Sequence, residues 1–60
     1  MEVSTIRKYA GKKVYLILKN NFHYTAQLPR EIDKDFFIVD KFGNEVVISS
    51  DMVAFVQEVK

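Results

Sequence analysis

Asp35-Phe36-Phe37-Ile38-Val39-Asp40-Lys41-Phe42-Gly43-Asn44-Glu45-Val46-Val47-Ile48 holds two short apolar runs on either side of a polar turn. β-Branched and aromatic residues fill both runs, Phe36–Val39 and Val46–Ile48, and neither run is long enough for a stable helix. Gly43 supplies the positive φ that a tight reversal needs, and Asn44 tolerates it better than most residues. The stretch reads as a β-hairpin. Unbroken apolar character from Phe36 to Val39 predicts that both faces of the first strand are covered, one of them by another subunit.

Outward from the hairpin, the chain divides into short elements. Towards the N-terminus, Phe22, Tyr24, Ala26 and Leu28 alternate with His23, Thr25 and Gln27, which is strand spacing, and Pro29 ends the strand. Before it, Val14, Leu16 and Leu18 alternate with Tyr15, Ile17 and Lys19, and Asn20-Asn21 reads as a two-residue turn between the strands. The charged segment Arg30–Lys34 connects this pair to the central hairpin. Ser4 or Thr5 caps a short predicted helix over Ile6–Ala10, which leaves through Gly11. Val3, Ile6 and Tyr9 or Ala10 fall on one side of it, with Arg7 and Lys8 facing water. Beyond Ile48, the polar Ser49-Ser50-Asp51 forms a turn into a last strand over Met52–Val59, entered through a single tight helical turn. One leading helix and five short, closely spaced strands predict a single all-β domain over residues 1–60, a small bent barrel.

Sixty residues build a marginal core, and with no cysteine there is neither a disulfide nor a thiolate metal site to reinforce it. Oligomerisation is the remaining route to stability. A hydrophobic content of 48% with 13% aromatics argues against disorder. No apolar run approaches membrane-spanning length and Met1–Thr5 lacks a signal-peptide pattern, so the expectation is a soluble, cytoplasmic protein without a membrane partner. The net charge of +1 conceals an asymmetry. Residues 1–30 carry six basic groups against the single acid Glu2, a balance of +5, whereas residues 31–60 carry three against seven, a balance of −4. Two electrically distinct surfaces follow if the halves form different faces, the basic one attracting polyanions.

No catalytic constellation emerges. His23 is the only histidine and has no cysteine to share a metal with. Glu31, Asp33 and Asp35 lack the glycine of a calcium loop. Ser49 and Ser50 have no base nearby in the sequence, and no phosphate-binding glycine loop is present. The expectation is a binding protein without enzyme activity, cofactor or metal.

The order and spacing of these elements resemble the Sm/LSm family, including its bacterial Hfq branch, over essentially the whole chain. Gly11-Lys12-Lys13-Val14-Tyr15-Leu16-Ile17-Leu18-Lys19 is similar to that family's opening strand, with Asn20-Asn21 at its first hairpin turn. Ala26 stands where the family has a glycine at a sharp bend. Asp33-Lys34-Asp35-Phe36-Phe37-Ile38-Val39-Asp40 resembles the end of the first Sm motif, with Phe37 where many members carry an RNA-contacting asparagine. Ile48-Ser49-Ser50-Asp51-Met52-Val53-Ala54-Phe55-Val56 resembles the second motif, with Ser49-Ser50 in the arginine-glycine place.

The resemblance implies a strongly bent, five-stranded SH3-like barrel. It further implies a homohexameric or homoheptameric ring, joined edge to edge through the strand after the central hairpin and the last strand of the neighbour. Both strands would otherwise be apolar free edges, which is an aggregation liability. The implied ligand is single-stranded, uridine-rich RNA near the pore, met by Asp33, Lys34, Phe36, Phe37, Ser49, Ser50 and Asp51. In that reading Lys34 attracts phosphate, Phe36 or Phe37 stacks on a base, and the serines bond to a base edge. Arg7, Lys8 and Lys12 form a secondary basic face. Two alternatives stand beside it. One is a protein-interaction ring without RNA readout, because Asp33, Asp35, Asp40 and Asp51 repel phosphate. The other is a monomeric SH3-like module that binds a peptide or double-stranded DNA through its basic half.

Overall fold

A computed structural model describes all sixty residues as a mostly β domain. A short helix, α1 (Val3–Arg7), precedes five antiparallel strands: β1 (Lys13–Leu18), β2 (His23–Gln27), β3 (Asp35–Val39), β4 (Glu45–Ser49) and β5 (Val53–Glu58). A 3₁₀ turn, Ser50–Met52, leads into β5. The strands form a three-stranded sheet of order β2-β1-β5 and a two-stranded ribbon, β3-β4, with β2 in contact with β3. No helix is long and apolar enough to cross a membrane.

The alternation in the sequence fixes which side of each strand is buried. Val14, Leu16 and Leu18 of β1 turn inward, joined by Ala26 and Leu28 from the β2 side. The ribbon contributes Phe36, Ile38 and Ile48, and α1 lays Ile6 on the same cluster. β5 keeps its inner face by a bulge. Ile17 pairs with Phe55 but Leu18 pairs with Val53, so Ala54 is the extra residue. The bulge lets Val53 and Val56 both lean on the core although they are three apart, and it turns Phe55 outward.

Both hairpins close in the same way. Leu18 N–H donates to the Phe22 carbonyl and Asn21 N–H to Leu18, enclosing a three-residue loop whose last residue, Asn21, has φ +69°. In the ribbon, Asp40 N–H donates to Asn44 and Gly43 N–H to Asp40, and Gly43 has φ +82°. A type I turn ending in one left-handed residue matches the twist of the strands it joins. The expected two-residue turn at Asn20-Asn21 is therefore a three-residue loop, and Phe22 closes it from an exposed position instead of joining the buried face of β2.

The helix also departs from expectation. It begins at Val3, with Glu2 rather than Ser4 or Thr5 at the cap and no side-chain bond there. Thr5 and Ile6 both donate their N–H to the Glu2 carbonyl, so the hydroxyl residues fall inside the first turn. Burial of Ile6 sets the phase of so short a helix more firmly than a cap does. Successive turns carry the chain from Lys8 to Gly11, whose φ of +75° provides the expected left-handed exit.

Coverage of both faces of β3 is not realised within one chain. Phe36 and Ile38 are buried, whereas Phe37 and Val39 stand more than half exposed, with Val47 opposite Phe37 on β4.

Candidate nucleic-acid interface

The loop before β3 and the turn after β4 meet at one end of the ribbon. Ser50 N–H donates to the Lys34 carbonyl (2.7 Å), and Asp35 pairs with Ser49 in the ladder. Lys34 Nζ lies 3.9 Å from Asp51 Oδ2, both side chains being largely exposed. The Met1 ammonium donates to the carbonyls of Ser50 and Val53 on the same turn. Arg7 enters from α1, its Nε donating to the Ile32 carbonyl (2.8 Å) and its guanidinium 3.5 Å from Asp33. Five expected contact residues, Asp33, Lys34, Ser49, Ser50 and Asp51, are thus brought together, although the Ser50 side chain is buried.

Phe36 needs correction. Only 3% of it is exposed, because β-strand alternation places it inside with Ile38, and a base cannot stack on it there. Phe37, on the opposite face and 51% exposed, is the aromatic that a ligand can reach. The basic face also differs from expectation. Arg7 is held at Asp33, while Lys12 pairs with Glu58 of β5 at 3.6 Å, and Lys8 is exposed. Two of its three cations are compensated by different carboxylates, so they do not act as one free anion-binding surface. The electrostatics of the loop cluster are mixed: Asp33 lies beside Arg7 and Asp51 beside Lys34, with Asp35 next in the chain.

A second concavity escapes the sequence reading. Tyr15, His23, Tyr24 and Thr25 of the first hairpin, with Asp40, Lys41 and Phe42 of the ribbon turn, line a cleft of about 230 Å³. The Tyr15 hydroxyl is hydrogen-bonded to His23 Nδ1, and the two rings meet edge to face at 5.7 Å between centroids. Phe55 of β5 packs edge-on against the other side of Tyr15. Asp40 Oδ1 accepts from the N–H groups of Phe42 and Asn44, which fixes the turn and holds Phe42 outward, 77% exposed. Lys41 Nζ stands 5.2 Å from the Phe42 ring centroid. The signals available in sequence were the odd-numbered run Tyr15, His23, Thr25 on one strand face and an aromatic at a turn tip. Nothing in the spacing linked the two hairpins.

Comparison with protein-family models, curated proteins and solved structures finds no match for this chain.

Proposed function

We propose that this chain is an Sm-like subunit that assembles into a homohexameric or homoheptameric ring and holds single-stranded, uridine-rich RNA near the ring axis. The observation that carries the reading is the junction of the two loops, in which the Ser50–Lys34 bond gathers Lys34, Ser49 and Asp51 at one end of a ribbon bearing an exposed Phe37. The strand order supports it. With β2 touching β3, the series β5-β1-β2-β3-β4 reads as one strongly bent SH3-like barrel whose first and last strands are free edges. An antiparallel union of β4 with β5 of the next copy satisfies both edges and closes a ring. Phe37 stacks on a base, worth about 1–3 kcal/mol per base. Lys34 attracts phosphate, Ser49 bonds a base edge, and six or seven copies multiply a weak contact.

Native mass spectrometry near physiological ionic strength, followed by fluorescence anisotropy with oligouridine, tests the proposal. A discrete ring that binds oligouridine at low salt and loses it steeply as salt rises is the expected result. A 7.0 kDa monomer at micromolar concentration overturns the ring and returns the chain to a monomeric SH3-like module. A ring indifferent to oligouridine supports instead a protein-interaction ring, a reading favoured by Asp51 beside Lys34 and by the nearby acids Asp33 and Asp35.

A further inference from the structure

The cleft between the hairpins is the best-formed site on the molecule that the ring reading leaves unused. We propose that it binds one nucleotide, its base against the aromatic walls and its phosphate on Lys41. The site lies within a single chain and shares with the preceding section only the class of ligand, so it stands whether or not a ring forms.

Three observations carry it. The walls are aromatic on both sides, with Tyr15 and His23 from the first hairpin and Phe42 from the second, and every nucleobase presents a π-face to such walls. These walls are held in place before any ligand arrives. The Tyr15–His23 hydrogen bond and the Tyr15–Phe55 contact fix one side. The two backbone bonds to Asp40 Oδ1 fix the other. A preorganised site loses less entropy on binding.

The cleft also has the right cation. Arg7, Lys12 and Lys34 are each drawn to a carboxylate, whereas the ammonium of Lys41 lies beside the Phe42 ring with no carboxylate in ion-pair range. A base resting on Phe42 therefore keeps its phosphate within reach of an ammonium that is in no ion pair, although Asp40 lines the same cleft. Asp40 spends one carboxylate oxygen on the turn, and its other oxygen, the Thr25 hydroxyl and His23 Nε2 remain as partners for the polar edge of a base. A hollow of about 230 Å³ has room for a single base, with sugar and phosphate at its open side.

The test is amide-resolved NMR titration with uridine and adenosine monophosphates. Saturable shifts at Tyr15, His23, Thr25, Lys41 and Phe42 are expected, separate from any at Lys34, Phe37, Ser49 and Asp51. Phe42→Ala removes the outer wall from an exposed turn tip and should weaken binding at the cleft about tenfold, as should Lys41→Ala, while Glu58→Gln leaves it unchanged. A uridylate hexamer then identifies the source. Tighter binding at the same residues assigns the site to a strand, and equal affinity assigns it to free nucleotides.

Shifts confined to residues 33–37 and 49–51 overturn the cleft and favour the loop cluster. Unaltered affinity in Phe42→Ala, with its spectrum showing a folded chain, also overturns it. So does the absence of any saturable shift, which leaves the ring to its own titration.

Discussion

The three-stranded sheet and the β3-β4 ribbon share one core but differ on the faces they turn away from it. Outside the sheet, the Tyr15 hydroxyl is hydrogen-bonded to His23 and Phe55 packs edge-on against the Tyr15 ring, so the larger side chains there find partners within the chain. Outside the ribbon, Phe37, Val39 and Val47 form a bare apolar face. The outer face of the sheet is thus largely satisfied within one copy. The ribbon's outer face is not, since nothing within the chain covers Phe37, Val39 and Val47.

The sharpest way to break that contrast uses two adjacent phenylalanines. Phe36→Ala empties a core position, costs about 3–5 kcal/mol, and should leave a domain of this size largely unfolded at room temperature. Phe37→Ala, one residue on, should change stability in the isolated chain by no more than about 0.5 kcal/mol, yet abolish most of the oligouridine binding. Urea denaturation beside anisotropy separates the two. Equal destabilisation by both substitutions would mean that the outer face of the ribbon is packed after all.

The two hairpins offer a smaller, cleaner comparison, because they share one loop geometry with asparagine at the left-handed position in the first and glycine in the second. A Cβ at Gly43 meets nothing within 4 Å, so the cost of Gly43→Ala is purely conformational, about 1 kcal/mol. Gly43→Asn should cost less, since the first hairpin already runs on asparagine there. Thermal unfolding of the two variants gives the order, and a reversed order would count against the shared geometry.

These particulars also show what the sequence could and could not convey. Period-two alternation in Val14–Leu18 and Tyr24–Leu28 named the buried residues of β1 and β2, because a sheet with one buried face leaves that imprint. Phe36–Val39 carried no such imprint. Four apolar residues in a row conceal which face is inner, and only the register with β4 separates Phe36 from Phe37. The last strand was legible as a strand but its faces were not: the bulge at Ala54 changes the phase within Val53–Val56, and no local residue announces it. In the loop cluster, the meeting of residues 33–34 with 49–51 was anticipated through a family resemblance. Its pairing with Arg7 was not, since a contact spanning twenty-six positions depends on where α1 docks. The cleft was invisible for the same reason, being made by strand residues of the first hairpin and the ribbon turn, which only the packing of sheet against ribbon brings together.

The smallest effects concern two ion pairs, one on each region. Lys12–Glu58 ties β1 to β5 at the edge of the sheet, with side chains 51% and 38% exposed, so Glu58→Gln should lower stability by at most about 0.5 kcal/mol and cease to matter in high salt. Lys34–Asp51 is looser and more exposed, and Asp51→Asn should leave the melting temperature where it was. Its consequence lies elsewhere. Removing that carboxylate frees the ammonium of Lys34 and lowers the negative potential beside Phe37, so oligouridine should bind severalfold more tightly at low salt, with the gain shrinking as ionic strength rises. Glu58→Gln, remote from the loops, should show no such gain. If Asp51→Asn instead weakens binding, the aspartate accepts a hydrogen bond from the RNA, and the acidic surround of Lys34 is part of the recognition instead of an obstacle to it.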